Sequence, residues 1–490
     1  MITSQTLQDV VDSAGLPGVL TALVAGASVP RADGPIHDVL DPATDAVVTR
    51  FEETSPGGVA TAVENAHSAV RGWAMIDPAE RGRVLLRLAG TIRDHADILA
   101  RLESIDSGKP LSQARADIAV SARYFEYYAG AVDKIGGETI PQAADTFSYT
   151  LREPFGVVAH ITPWNAPLSQ MMRGVAPCLA AGNTVVVKPS ELTPLTSWLA
   201  ARLLVEAGLP PGVCNIVLGP GSTTGHTLVS HPLVRHITFT GSVAVGRVVG
   251  GVAAERIIGC NLELGGKSPT IICDDADLDT AAKAGALAVI RNSGQSCFAT
   301  TRLLVQRSVH DAFVDKVAAH IGGLSVGHGL DDPDLGPLIS SVQRERVATI
   351  LDAARADGAS VVVGGRSLDG PGHFFEPTLL RDVTNDMSVA RDEIFGPVQS
   401  VIAFDDLDEA VRVANDSPYG LSAGIFTRDV GRAHRAARDL QAGQVQVNRY
   451  AGAGVEVPFG GYKNSGLGRE KGLEALHHYT QLKSVIVDIS

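Results

Sequence analysis

The sequence predicts an α/β fold built on two parallel sheets, and three observations carry that expectation. Short apolar strands recur with helix-like stretches between them, in "NTVVVKPSE", "CNIVLGPG", "HITFTGS" and "SPTIICDD"; buried strands that alternate with helices build a parallel sheet. A second alternating set follows in "TTRLLVQ", "ASVVVGG", "QSVIAFDD", "SAGIFT" and "GQVQVN", which implies a second α/β unit. The chain is 490 residues long, too many for one small core, so two or three domains are expected.

Taken in order, the first apolar stretch is Leu16–Val29, which resembles the core of a signal peptide. The residues before it include Asp9 and Asp12 and no lysine or arginine, so the basic leader is missing. The stretch is also too short to span a bilayer, and the chain reads as soluble and cytoplasmic. From Asp77 a helix signal begins, with Asp77 as N-cap, Pro78 at the first position, and Leu85, Leu88, Ile92, Ala96, Leu99 and Leu102 on one stripe. Gly108 and Pro110 stop it. A second helix is expected over about Leu111–Val132. The segment "TFSYTLREPFGVVAHITPW" then alternates as strands do and enters the first α/β unit. The C-terminal "HHYTQLKSVIVDIS" ends in a strand far in sequence from either sheet.

Hydrophobic residues make up 45% of the chain and charged residues 19%, as in an ordinary globular protein. A net charge of −13 without any lysine/arginine-rich run argues against nucleic acid or an anionic membrane as partner. Five cysteines are present (Cys178, Cys214, Cys260, Cys273 and Cys297), none in a C-x-x-C pair. That count and spacing suit neither a disulfide framework nor a zinc knuckle, and a buried inert thiol is the default for each. No H-E-x-x-H occurs, and His477 and His478 are adjacent, so no metal is expected. The run Asp274, Asp275, Asp277, Asp279 lacks the glycine and glutamate of a calcium loop and is better read as capping the next helix.

Two glycine-rich sites follow strands. Gly219-x-Gly221-x-x-x-Gly225 is one residue too long for a dinucleotide fingerprint, and a plain strand–helix turn explains it about as well. In "ITFTGSVAVGR", Gly241 and Ser242 end a strand and Gly246 lies one turn into a helix, whose free N–H groups suit a pyrophosphate. Glu263 sits between two leucines, company that raises a carboxylate's pKa toward that of a general base; alone it reads better as a surface residue at a strand end. Cys297 follows Gly294, which permits a tight turn, and a nucleophilic thiolate needs a polar, exposed setting, preferably at a helix N-terminus. The string "GQSCFA" faintly matches papain-type proteases, but Cys297 lies too deep in the chain for that class.

Seven motifs, "TPWNAPL", "GNTVVVKPSELTP", "TFTGSVAVGR", "LELGGKSP", "NSGQSC", "DEIFGPV" and "PFGGYKNSGLGRE", occur in the order and near the spacing found in the aldehyde dehydrogenase superfamily. The chain resembles that family, of the NAD(P)-dependent non-acylating type, from about residue 30 to its C-terminus. The resemblance implies Cys297 as nucleophile, Glu263 as the base that activates water, Asn165 with the Cys297 amide as oxyanion donors, and Glu470 in water and proton handling. It implies NAD, preferred over NADP, held by Lys188, Ser190, Glu191, Gly221, Gly225, Gly241, Ser242, Gly246, Glu393, Phe395 and Trp164. It further implies a Rossmann-like cofactor domain (1–132 and 155–262), an α/β catalytic domain (263–470), and an oligomerisation element (a hairpin at 133–154 with 471–490). The C-terminal strand is expected to pair with a neighbouring subunit's sheet in a homo-oligomer, a dimer or tetramer.

Arg173, Arg291 and Phe459 are the expected substrate contacts; the two arginines match those that bind a substrate carboxylate in succinate-semialdehyde dehydrogenases. Ile290 stands where the family often has phenylalanine, Ala166 where an aromatic residue commonly narrows the tunnel, and Ala453 where the semialdehyde enzymes have serine; Gln170 also alters the wall. The expected activity is oxidation of an aldehyde, with a short carboxylated semialdehyde as the expected substrate, to the free acid. A neutral or aromatic aldehyde is the alternative substrate. A CoA-acylating enzyme, which typically lacks the base, and a non-enzymatic family member are the alternative classes.

Overall fold

The structure, a computed structural model, describes residues 2–30, 32–450 and 453–490. It is a mixed α/β assembly with two large sheets. The first has eight strands in the order Gly466–Leu467, Gly259–Glu263, Val234–Thr240, Val157–Ile161, Thr184–Lys188, Cys214–Ile216, Leu23–Val24 and Ala27–Ser28. The five from Gly259–Glu263 to Cys214–Ile216 run parallel, and short antiparallel strands close both edges. Thr184–Lys188 is buried at every residue; its run of valines suits a strand covered by helices on both faces. The chain steps outward from Val157–Ile161 in one direction, then returns to place Val234–Thr240 on its other side. That reversal opens a crevice at the carboxyl ends of these two strands, the place where open α/β sheets bind ligands.

The second sheet runs Ser360–Val363, Thr378–Arg381, Val398–Phe404, Arg302–Gln306, Pro269–Ile272, Ser422–Phe426 and Gln444–Val447, parallel apart from its first strand. The expected strand in "SPTIICDD" therefore belongs here and not with the first group. In the first sheet the place beside Val234–Thr240 is already filled by Gly259–Glu263, whose outer edge pairs with Gly466–Leu467. Strands at Ile36–Leu40, Val47–Glu52 and Thr378–Arg381 complete the set and were not anticipated.

The apolar Leu16–Val29 stretch supplies the hairpin Leu23–Val24/Ala27–Ser28, which joins the first sheet through Leu23 opposite Ile216. Its apolar character comes from that sheet edge, and among the described residues no helix is long and apolar enough to cross a membrane. Asp77 caps its helix as expected, accepting from the Ala79 and Glu80 amides. The helix does not run unbroken to Gly108, however; it divides into Pro78–Asp94 and Ala96–Ser107. At the break the Thr91 carbonyl accepts both from the His95 amide (3.2 Å) and from the His95 ring Nδ1–H (2.9 Å). The next helix, Leu111–Ala129, ends at Gly130, short of the expected Val132.

The C-terminal strand Thr480–Asp488 pairs antiparallel with this chain's own Thr146–Pro154, from Thr480 opposite Pro154 to Asp488 opposite Thr146. The hairpin Thr139–Ile140/Thr146–Pro154 supplies that pairing within the chain, and among the described residues Thr480–Asp488 is the outer strand of this three-stranded sheet, with its other edge unpaired. Asn183 ties this layer to the first sheet. Its side chain accepts from the Gly156 amide (3.0 Å) and donates to the Tyr479 carbonyl (2.8 Å), entirely out of solvent. Asn183→Ala leaves both backbone groups buried without partners, at a cost of roughly 1–3 kcal/mol. A thermal scan should show a lowered melting temperature; an unchanged one would mean that these bonds contribute nothing.

Candidate active site

Cys297 stands just before strand Arg302–Gln306 at the amino end of the second sheet, on a turn whose residues have separate tasks. Asn292, Ser293 and Gly294 are all left-handed, with φ of 48°, 53° and 72°. Such a run is strained and persists only where its surroundings impose it. Here the Asn292 amide donates to Gln113 Oε1 (2.7 Å) and its Nδ2 to the Asn165 carbonyl (2.8 Å). Ser293 Oγ donates to the Gly336 carbonyl (2.7 Å), and Gln295 Oε1 accepts from the Ile339 amide (2.9 Å). At Gly294 a Cβ would lie 2.1 Å from the Gly396 carbonyl oxygen, so only glycine fits.

The thiol is half-buried and not at a helix N-terminus, in contrast to the expected setting. Burial pushes its pKa up to about 12; Arg173 and the Phe298 amide pull it down, while Glu393 and Glu263 add to the rise. The resting group is therefore a thiol. Asn165 Nδ2 donates one hydrogen to the Gln295 carbonyl at 3.0 Å, which fixes the amide and leaves its second hydrogen free for a ligand. Among the described residues the Cys297 amide donates to no acceptor.

Glu263 is the last residue of its strand in the first sheet and is 3% exposed. Burial, and then Glu470, hold its pKa well above the ordinary carboxylate value, opposed by Arg173, Arg469 and Lys471. A carboxylate so placed is a stronger base once ionised. Glu470 is equally buried and forms an ion pair with Arg173. It is positioned by a backbone bridge with Phe459, each amide donating to the other's carbonyl at 2.7 Å. Arg173 lies 5.3 Å from the centre of the Phe459 ring. Burial is the largest single influence on its pKa and lowers it, but Glu470, Tyr124, Glu263 and Cys297 together outweigh burial and the pKa is raised.

Two clefts meet at Cys297. One, of about 740 Å³, is walled by Trp164, Gly241, Ser242, Glu263, Glu393 and Phe395 together with Asn165 and Cys297. It opens at the crevice between the two central strands of the first sheet. Ser242 caps helix Val243–Arg256, accepting from the Val245 amide, and a Cβ on Gly246 would lie 2.5 Å from Leu264. Glu393 accepts from the Gly266 amide (3.1 Å), and burial raises its pKa to about 7. Trp164 and Phe395 meet edge to face at 5.1 Å, with Phe395 left-handed at φ 56°. Gln343 donates to the Phe395 carbonyl (2.8 Å) and Arg346 to that of Glu393 (2.7 Å); neither residue had a sequence signal. Lys188, Ser190, Glu191, Gly221 and Gly225 stand outside this wall. Lys188 Nζ donates to Glu191 (3.2 Å), and Ser190 Oγ accepts from the Leu192 amide. Gly225 packs on Lys188, whereas Gly221 faces open space.

The other cleft, of about 1250 Å³, includes Asn165, Ala166, Arg173, Arg291, Phe459 and Lys471. Arg291 is exposed at its rim, whereas Arg173 is already partnered by Glu470. Lys471, Tyr124 and Gln113 also line it and were missed. Among the described residues no group of His, Cys, Asp and Glu is placed to share a metal ion. Asp277 caps helix Leu278–Ile290, and Asp275 accepts from the Thr427 hydroxyl and the Arg428 and Asp429 amides.

The turn yields the first test of this site. Gly294→Ala should lower kcat/KM at least about tenfold through misplacement of Cys297, with the circular dichroism spectrum retained. Full activity would show that the left-handed turn does not position the thiol.

The family model for the aldehyde dehydrogenase family matches residues 29–485. Aldehyde dehydrogenase 1 of Tanacetum cinerariifolium is 42% identical over 471 residues, covering 95% of this chain and 94% of that protein. The NAD⁺ complex of an aldehyde dehydrogenase from Bacillus cereus superposes with a TM-score of 0.94 at 40% identity, covering 96% of this chain and 97% of that one. An NAD-dependent aldehyde dehydrogenase from Sinorhizobium meliloti does so with a TM-score of 0.95 at 38% identity, covering 97% and 96%.

Proposed function

The chain belongs to the aldehyde dehydrogenase family, and we propose that it oxidises an aldehyde to the free carboxylic acid through a thioester on Cys297. It is an NAD-dependent aldehyde dehydrogenase. The observation that carries the finer reading is the convergence of Cys297, Asn165 and Glu263 on one cleft from two different sheets.

The Cys297 thiol gives up its proton to water as its sulfur attacks the carbonyl carbon, which generates an alkoxide. The second hydrogen of the Asn165 amide and the Cys297 N–H are the donors for that oxygen, fixed before charge develops there. The cleft suits a dinucleotide: its glycines hold the backbone open and helix Val243–Arg256 begins at its wall. NAD bound there supplies the acceptor for the hydride that leaves the thiohemiacetal carbon. Glu393, Phe395 and Trp164 would hold its nicotinamide end, and Lys188 and Glu191 its adenosine ribose. Glu263 then takes a proton from water, the hydroxide adds to the thioester carbon, and the acid departs as Cys297 regains its proton. A base with a raised pKa is suited to that step, and its presence favours hydrolysis over transfer to CoA.

Residues 1–132 and 155–262 are assigned to cofactor binding and 263–470 to catalysis. The sheet formed by the 133–154 hairpin and the C-terminal strand is assigned to contact with a second copy, since it exposes Phe147, Leu151, Leu482 and Ile486. The substrate assigned is a small aldehyde with a polar or carboxylated end, with Arg291 at the cleft rim.

Two measurements test this reading. Cys297→Ala should abolish NADH formation and keep NAD⁺ binding, whereas Glu263→Gln should give a burst near one NADH per site followed by little turnover. Wild-type turnover in Glu263→Gln would remove Glu263 as the base. For the cofactor, a half-exposed carboxylate at Glu191 accepts from ribose hydroxyls and repels a 2′-phosphate. NAD⁺ should therefore be preferred over NADP⁺ by roughly 10–150-fold in kcat/KM, and Glu191→Ser should narrow the gap. Equal use of both cofactors by the wild type would overturn the assignment.

A further inference from the structure

We propose that Lys471 is the anion-binding group of the substrate cleft, and that the aldehyde admitted there carries a carboxylate beyond its reacting carbon. This rests on the reading above, in which Cys297 attacks an aldehyde in that cleft, and deepens it by naming the substrate class.

Four cations stand in the wall of the cleft: Lys109, Arg173, Arg291 and Lys471. Two of the buried ones are already neutralised. Arg173 is paired with Glu470, and Lys109 with both Glu103 and Asp117. Arg291 is exposed at the rim, where solvent screens its charge. Lys471 alone is both withdrawn into the cleft and, among the described residues, without an ion pair or hydrogen bond; its ammonium lies 5.2 Å from the centre of the Phe459 ring.

Burial and then Arg173 disfavour this ammonium, the nearby Glu470 and Glu263 charges offset that only in part, and an arriving anion relieves the remainder. Burial lowers the Lys471 pKa to about 8, so the group is still mostly charged at neutral pH. The one carboxylate in the wall, Asp117, is engaged by Lys109. Val120, Phe298 and Val455 make much of the remaining wall apolar, which suits a short carbon chain linking an aldehyde at Cys297 to a carboxylate at Lys471. Phe459 carries Arg173 over its ring as well as Lys471. Its ring thus contacts both the cation paired with Glu470 and the one that makes no ion pair.

The test compares kcat/KM for succinic semialdehyde and for butanal, its four-carbon neutral counterpart, in wild type, Lys471→Met and Lys471→Arg. The ratio of the two should fall roughly tenfold to a hundredfold in Lys471→Met and be largely restored in Lys471→Arg. An unchanged ratio, or an equal fall for both aldehydes, overturns the proposal. Should Lys471→Met fail to fold, inhibition of the wild type by butyrate and by butyramide decides. Butyrate competing with succinic semialdehyde about tenfold more tightly than the amide supports the site, and equal or weaker competition overturns it. A wild type that forms no NADH with any aldehyde would instead remove the catalytic reading on which the proposal stands.

Discussion

The structure depends on how the chain passes from one sheet to the other. Strand Gly259–Glu263 closes the parallel part of the first sheet, and Pro269–Ile272 begins within the second, with only residues 264–268 between them. That strip is held from both sides. The Leu264 amide donates to the Ser465 carbonyl (2.9 Å), and the Ser465 hydroxyl donates to the Gly265 carbonyl (2.7 Å). A Cβ on Gly265 would lie 2.1 Å from Glu393, and one on Gly266 would lie 2.5 Å from the Cys297 carbonyl oxygen. The base, the thiol turn and Glu393 therefore contact the same short strip, and their mutual placement follows from a backbone with no room for side chains.

That placement creates an electrostatic problem, since Glu263 and Glu470 are both buried and near one another. Two carboxylates so placed raise each other's pKa unless cations intervene. Arg173 intervenes by pairing with Glu470, and Arg469 and Lys471 oppose the rise at Glu263. Removing one partner of such a buried pair is far more damaging than the pair is stabilising. Arg173 is accordingly the buried counter-ion of Glu470 beside Glu263.

Much of this was legible in the sequence wherever local chemistry fixes local structure. The valine-rich Thr184–Lys188 strand, the Asp77 cap, the Ser242 helix start and the glycine before Cys297 each announce a backbone geometry that the fold displays. The illegible parts depend on partners distant in sequence. Arg173 lines the substrate cleft, but its partner Glu470 lies almost three hundred residues later and has no local sign. The C-terminal strand has no local sign that Thr146–Pro154 receives it. Gln113, Gln343 and Lys471 carry no motif, because their importance lies in which carbonyl, turn or ring they face. The break at His95 was hidden because its apolar stripe continues in phase across two helices.

Among the described residues the two clefts share only Asn165, Gln170 and Cys297. A single funnel would oblige two ligands to queue, with the deeper one trapped until the outer one left. Here the sulfur is a checkpoint with a gate on either side. In the proposed reaction the acid can leave through its own gate while the dinucleotide stays, or the dinucleotide can be exchanged while the acyl group waits on the thiol. The architecture thus separates the traffic of the two ligands and leaves the sequence of arrivals and departures to their affinities, since neither need obstruct the other.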